Sequence, residues 1–297
     1  MDLTVGPNPY FWSIESVRAF YAGLAEAPVE RVVLGEWVCS KRLPFWQDAI
    51  AEAAEQLVTA GKQVALSTLA LITLPRERRQ SAELMQTGLP IEINDLTALA
   101  YLPEGTPFWV GPMVNVYNEG TLRWLAGRGA ERICLPPELP LASVRALAAE
   151  GQRLGVAIEV WGHGRLPLAI SGRCYHARLH ARSKDSCQFV CAEDPDGRAV
   201  QTSDDQPFLA INGVQTLSHS IASAALQIEA LREAGVTALR LSPQSRDFGT
   251  ICAGYADLLR GALGAADWAA RLRALVPDGA LSDGFLQGPS GAHWSGR

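Results

Sequence analysis

Residues 31–67 read RVVLGEWVCSKRLPFWQDAIAEAAEQLVTAGKQVALS and contain one complete strand–helix–strand pattern. Two short apolar runs, Arg31–Leu34 and Gln63–Ser67, predict buried strands at its two ends. Between them a helix is predicted from about Pro44 to Ala60, ended by Gly61, because apolar residues recur along one face. Those residues are Phe45, Ile50, Ala54, Leu57 and Val58. A helix that links two buried strands is typical of parallel sheets, so this stretch predicts an α/β fold.

The same alternation continues through most of the chain. The predicted strands are Leu3–Val5, Arg31–Leu34, Gln63–Ser67, Pro90–Ile93, Phe108–Val110, Arg132–Leu135, Ala157–Trp161 and Ala238–Leu241. About eight strands is the number that a closed (β/α) barrel needs. We therefore predict a single α/β domain over residues 1–297, an irregular (β/α)-barrel-like fold, with an open doubly wound sheet as the alternative.

Two further helices are predicted from apolar residues at helical spacing. One contains Leu141, Val144, Leu147, Ala148 and Leu154 and stops at Gly155. The other contains Ile221, Ala224, Ala225, Ile228 and Leu231 and precedes Gly235.

The composition limits the classes of function. The chain is 48% hydrophobic and 19% charged, which allows a large core and excludes global disorder. A net charge of −5 and a pI near 5.6 argue against nucleic-acid or anionic-membrane binding. The opening MDLTVGPNPYFW has no basic or apolar signal region, and no apolar run reaches the length of a membrane span. A cytoplasmic protein with reduced thiols is expected.

One segment, residues 163–217, interrupts the alternation. It has no long helical pattern, but it contains three of the six cysteines and the turn-rich run AEDPDGRAVQTSDDQP. It is interpreted as an excursion between the seventh and eighth strands, at the end of a barrel where loops carry function. The last stretch, residues 278–297, is rich in Gly and Ser. It is expected either to be partly disordered or to fold over a face of the barrel.

The excursion contains a C-x12-C-x3-C array formed by Cys174, Cys187 and Cys191. Nearby cations favour thiolates and offset the negative charge of an iron–sulfur cluster. Those cations are Arg173, Arg178, Arg182 and Lys184. Two further cysteines, Cys134 and Cys252, lie in apolar runs instead and are interpreted as core residues.

A fourth ligand is expected at Cys39, just beyond the second strand and beside Lys41 and Arg42. In a parallel barrel, the end of strand two and an excursion after strand seven open onto the same face. Zinc remains an alternative to a cluster, because His176 and His180 are available and structural zinc sites use Cys and His. However, Cys174 lacks the close partner cysteine of a zinc knuckle.

Residues 158–174, IEVWGHGRLPLAISGRC, resemble the collagenase-like peptidase family of unassigned catalytic type. Members of that family carry H-G-A-L-C, a short spacer and S-G-x-C. The matching residues are His163, Gly164, Ser171, Gly172 and Cys174. Arg165 and Pro167 depart from the pattern, and Pro167 stands where the family has its first cysteine.

One branch of that family replaces the missing ligand by a cysteine after the second strand, where this chain has Cys39. The segments LTVGPNPYFW, EWVCSKR, IEINDL and LAINGVQTLSHS also resemble that branch, so the resemblance covers the whole chain. It implies a [4Fe-4S] cluster on Cys39, Cys174, Cys187 and Cys191 and a heterodimer with a UbiU-like sister subunit. The implied activity is O2-independent hydroxylation of a prenylated quinone precursor in ubiquinone biosynthesis, with prephenate as oxygen donor and a UbiT-like lipid-binding accessory protein.

The catalytic residues are not identified by the sequence. Polar residues at predicted strand ends would face the mouth of a barrel, although strand ends also need caps. They are Asn8, Glu36, Thr68, Asn94, Asp95, Asn115, Glu138, His163 and Arg165. Glu159 is predicted inside a strand, with Arg165 or Arg173 as its partner. No H-E-x-x-H, G-x-S-x-G or Walker motif occurs, and His163 is interpreted as structural rather than as a base.

Overall fold

The computed structural model describes residues 1–296 and shows a closed barrel of eight parallel strands with helices around it. The strands are β1 (Asp2–Val5), β2 (Arg31–Leu34), β3 (Gln63–Ser67), β4 (Ile91–Ile93), β5 (Phe108–Val110), β6 (Ala130–Cys134), β7 (Ala157–Ile170), β8 (Arg198–Gln201), β9 (Pro207–Asn212), β10 (Gln215–Ser223), β11 (Ala238–Leu241) and β12 (Leu281–Ser282). The α-helices are α1 (Ile14–Glu26), α2 (Leu43–Thr59), α3 (Pro75–Leu84), α4 (Glu119–Ala126), α5 (Leu141–Leu154), α6 (Tyr175–Leu179), α7 (Ile228–Glu233), α8 (Phe248–Leu259), α9 (Ala265–Arg273) and α10 (Gly284–Gln287).

Strands β1 to β7 and β11 form the barrel. Each of β1 to β7 pairs in parallel with the next, and β11 pairs in parallel with both β7 and β1. This closure excludes the open doubly wound sheet and confirms the predicted barrel. The eight predicted strands are all present, four of them with the predicted ends. Helix α5 ends at Gly155 as predicted, because that glycine adopts the left-handed conformation (φ 72°) that stops a helix.

The helices pack their apolar faces on the outside of the barrel. In α2, for example, Trp46 and Leu57 are almost fully buried. Side chains cap several helix starts: Ser13 accepts a hydrogen bond from Ser16 N in α1, and Asn118 accepts one from Thr121 N in α4. Within residues 1–296, every helix is too short or too polar to cross a lipid bilayer.

The predicted excursion lies between the seventh and eighth barrel strands. Strand β7 continues past the barrel rim to Ile170, and this extension pairs antiparallel with β10. Strands β9 and β8 continue the antiparallel sheet. Gly164 marks the change of partner, since its φ is +119° and a Cβ there would approach the Cβ of Ser242 to 2.5 Å. The only α-helix that the structure describes within this segment is the five-residue α6.

The helix predicted to contain Ile221 is wrong in its first part. Ile221 lies in β10 and pairs with Leu281 of β12, and helix α7 begins only at Ile228. The spacing of the apolar residues fits a helix, but pairing with β7 and β12 makes this part a strand. The C-terminal stretch folds against the same strand, and the Asp283 carboxylate accepts hydrogen bonds from Gln227 Nε2 and Ser295 N.

The interior of the barrel contains a buried group of three charged residues. The Arg240 guanidinium in β11 donates hydrogen bonds to the carboxylates of Glu159 in β7 and Glu92 in β4. The prediction that Arg165 or Arg173 pairs with Glu159 is therefore wrong. Glu159 points into the barrel, whereas Arg165 lies beyond the rim and donates to carbonyl oxygens, including that of Asp196.

Candidate metal centre

The structure brings the four predicted cysteine ligands together around one small cavity. Cys39, Cys174, Cys187 and Cys191 all line it, together with Arg42 and other residues of the two loops. Cys39 follows β2, Cys174 caps the N-terminus of α6, and Cys191 lies in a single turn of 3-10 helix. The loop after β2 and the excursion therefore meet at the same face of the barrel, as predicted.

The spacing of the four sulfur atoms decides which kind of metal group they suit. Among the residues that the structure describes, no three of these cysteines have their sulfurs within 4.8 Å of one another. A single tetrahedral zinc with bonds of about 2.3 Å would hold its thiolates about 3.8 Å apart. A four-iron cluster spaces them more widely, because each thiolate binds a different iron. Four thiolate donors are a ligand set that a four-iron cluster uses, and their sulfurs are not grouped as closely as the ligands of a single zinc ion.

The loop that carries Cys39 is shaped by Glu36. One carboxylate oxygen, Oε1, accepts hydrogen bonds from Val38 N (2.7 Å) and Cys39 N (2.9 Å). Lys41 Nζ then ties this loop to the excursion, donating to Lys184 O at 2.7 Å and to the Asp185 carboxylate at 3.1 Å. The sequence predicts Glu36 at the polar end of a strand, and in the structure its carboxylate caps this loop.

Three local contacts position the cysteines of the excursion. Cys174 Sγ accepts a hydrogen bond from Ala177 N at 3.4 Å, in the manner of a helix cap. The Asn212 side chain donates to Cys191 O (3.0 Å) and Asp194 O (2.9 Å), which fixes the last cysteine against β9. Asn212 is not among the residues predicted from the sequence, although it lies in the segment LAINGVQTLSHS that carries part of the family resemblance.

Arg42 is a buried cation that lines the cavity of the four cysteines. Its guanidinium is buried, with Nη1 donating to Pro9 O (3.2 Å) and Nη2 to Asn212 Oδ1 (2.6 Å), while Nε has no partner. Burial raises the pKa of the Cys39 and Cys191 thiols, and the Arg42 charge opposes that rise. Gly213 leaves room for the Arg42 side chain, because a Cβ at position 213 would lie 2.4 Å from Arg42 Nη2.

The two histidines of the excursion form a separate group. His176 is fully buried and lies 3.0 Å from the Asp194 carboxylate, and its ring stacks on His180. The ligand atoms of His176, His180 and Asp194 lie within 4.8 Å of one another, a spacing that could hold a metal ion. Arg198 also contacts His180, with 3.4 Å between the two nitrogens. Neither histidine lines the cavity that the four cysteines share.

Two of the other residues predicted at the barrel mouth, His163 and Asp95, have structural roles. His163 is buried, bonds Gln244 through Nε2 at 3.2 Å and packs against Tyr255, and burial lowers its pKa to about 4. Asp95 caps a 3-10 helix by accepting from Thr97 N, as the sequence analysis allowed. Cys134 and Cys252 are fully buried, as predicted for core residues.

The sequence profile of Peptidase family U32 matches residues 12–295, almost the whole chain. The chain belongs to this family. A collagenase of Porphyromonas gingivalis is 25% identical over 165 residues, which cover 52% of this chain and 39% of that protein. The chain thus spans about two fifths of the length of this curated relative. These findings confirm the predicted family resemblance at the level of the family.

Solved structures give weaker likenesses. A protein described as a fructose-1,6-biphosphate aldolase from Coccidioides immitis has a TM-score of 0.42 at 12% identity, covering 81% of this chain and 73% of its own. An enolase from Agrobacterium radiobacter has a TM-score of 0.37 at 16% identity, covering 79% and 66%. At these scores, neither likeness carries an argument about this chain.

Proposed function

We propose that this member of family U32 is the UbiV-like, [4Fe-4S]-binding subunit of a cytoplasmic, O2-independent hydroxylase of ubiquinone biosynthesis. Cys39, Cys174, Cys187 and Cys191 would hold the cluster, and a UbiU-like sister subunit and a UbiT-like lipid-binding protein would be its partners. The substrate would be the ring of a prenylated quinone precursor, with prephenate as oxygen donor. The observation that carries the proposal is the convergence of these four cysteines around one cavity.

The surroundings of the cavity support a negatively charged inorganic group. A cluster with four thiolate ligands carries net negative charge and is stabilised by nearby hydrogen-bond donors and cations. Arg42 supplies a buried cation whose Nε has no protein partner, and Lys184 also lines the cavity. When bound, such a cluster would supply one-electron transfer, while the chain's own residues would shield it and set its electrostatic environment.

Anaerobic purification of the chain with its sister subunit tests the proposal. We expect a brown protein with broad absorbance at about 400 nm and with about four iron and four sulfide per chain. Each of Cys39→Ala, Cys174→Ala, Cys187→Ala and Cys191→Ala should remove most of the iron. Cys252→Ala, at a buried cysteine that does not line the cavity, is the matched control and should retain the iron. A colourless wild-type protein without iron contradicts the proposal.

A second candidate function is a noncatalytic binding protein stabilised by zinc, and one observation favours it. His176, His180 and Asp194 could hold a metal ion, and zinc accepts such ligands. Metal analysis of the same samples separates the two candidates. Stoichiometric zinc that is lost on His176→Ala and kept on Cys39→Ala would favour the second candidate. Iron with the opposite dependence supports the first.

A further inference from the structure

A long groove lies on the outside of the barrel between α2 and α3. Helix α2 packs against α1, for example through the Arg18–Glu52 ion pair, but a cavity of about 690 Å³ separates it from α3. This volume is within the range of about 300–1,000 Å³ that is typical of small-molecule sites. Polar and apolar residues both line the groove, but most of the surface that it exposes is apolar, so a ligand with a large apolar part suits it.

The groove is long, because it follows most of helix α2. Residues from Leu43 to Val58 of α2 line it, and at 1.5 Å per residue this wall is about 22 Å long. The floor is formed by the end of β3, where Ser67 and Thr68 expose less than a twentieth of their surface. A long wall with a mainly apolar surface favours a hydrocarbon chain as the ligand.

One end of the groove lies at the loop that carries Cys39. Ser40 Oγ donates to the Glu77 carboxylate at 2.6 Å, which closes the groove between this loop and α3. At the other end Val58 is half exposed, so the groove opens to solvent there. A ligand lying along it would have one end next to the candidate metal centre and the other at the surface.

The closed end carries polar atoms without partners. Glu36 and Gln80 both line the groove, and Glu36 Oε2 and Gln80 Oε1 are buried and accept no hydrogen bond in the protein. Glu36 is only 4% exposed, and its other oxygen holds Cys39 N. Buried acceptors are rarely left unpaired, so they point to a ligand group that donates, such as a hydroxyl.

We infer that this groove binds the isoprenoid chain of an amphiphile whose hydroxyl-bearing head lies between Glu36 and Gln80, next to the Cys39 loop. The inference rests on the proposed function in taking that amphiphile as the substrate. The groove places the chain outside the barrel, and the head at the loop that carries one of the four cysteines.

Equilibrium dialysis of the anaerobically purified complex with radiolabelled farnesol and geranylgeraniol tests the inference. Binding should saturate at one site per chain and tighten by at least about tenfold for the added isoprene unit, because further apolar surface is buried. Ala51→Trp, at an exposed position that lines the groove, should weaken binding by at least about tenfold through steric filling. Gln56→Trp, on the same helix but outside the groove, is the matched control and should bind like wild type.

Three results would overturn the inference. They are absence of saturable binding, equal weakening by the two tryptophan variants, and an Ala51→Trp variant that binds the alcohols normally but no longer holds the sister subunit. The last result would assign the groove to a protein partner. Iron is measured on the same preparations. Full iron without isoprenoid binding would refute the isoprenoid site but not the proposed function. Isoprenoid binding without iron would refute the proposed function but not the isoprenoid site.

Discussion

Replacing Arg240 by Met should strongly destabilise the protein. Its guanidinium donates three hydrogen bonds to the carboxylates of Glu92 and Glu159, and all three side chains are at most 1% exposed. Charge-assisted bonds contribute about 1.5–3 kcal/mol each, so their gross loss is about 5–9 kcal/mol. The net cost is smaller than this gross loss, because removal of one partner from a buried ion pair typically costs about 3–5 kcal/mol. We expect a decrease of that size in the free energy of unfolding.

The effect should depend on pH. Burial acts to raise the pKa of Glu159, but Arg240 and its other partners hold that pKa below its usual value. In wild type this carboxylate therefore stabilises the fold above its unfolded-state pKa, and that stability is lost as the pH falls through the folded-state pKa. Without Arg240, burial raises the folded-state pKa, so stability is lost as the pH rises. The deficit of Arg240→Met should thus be larger at about pH 8 than at about pH 5.

Urea unfolding followed by circular dichroism measures both quantities. The matched control is the triple variant Arg240→Met, Glu92→Gln and Glu159→Gln, which removes the stranded charges as well. It should recover at least half of the lost stability, because neutral replacements avoid unpaired buried charge. A loss below about 1 kcal/mol in Arg240→Met, or a triple variant less stable than the single one, would refute this account of the barrel interior.

Three other predictions follow from particular contacts. Asn212→Ala removes the hydrogen bonds to Cys191 O and Asp194 O and also the acceptor of Arg42 Nη2. Iron per chain should therefore fall by at least half in anaerobic metal analysis. Unchanged iron would show that Asn212 does not position Cys191. Asn118→Ala removes only the cap of α4 and should cost about 1 kcal/mol in urea unfolding while leaving iron unchanged. Gly254→Ala should cost about 1–3 kcal/mol, because its Cβ would lie 2.1 Å from Trp268, whereas Gly249→Ala on the same helix meets nothing within 4 Å and should leave stability unchanged or raised. Equal stability of the two glycine variants would contradict this explanation.

The amino-acid sequence was sufficient to predict the barrel and to name the four cysteines that line the cavity. Strand–helix alternation is local, since each apolar run and each helical face is encoded within a few residues. Residues 31–34 and 63–67 accordingly form strands with the predicted ends. The order of such units along the chain, together with the rule that parallel strands share one end, was enough to place Cys39 on the same face as the excursion.

Contacts between residues that are distant in sequence could not be predicted and became visible only in the folded structure. For Glu159 the sequence predicts an ion pair with nearby Arg165 or Arg173. Its partner in the structure is Arg240, 81 residues away, because the alternation of side chains along a strand turns both into the barrel. Ile221 has helical spacing, yet pairing with β7 and β12 makes it part of a strand. Arg42, Asn212 and the groove between α2 and α3 depend on how separate elements meet, and no local pattern encodes those distances.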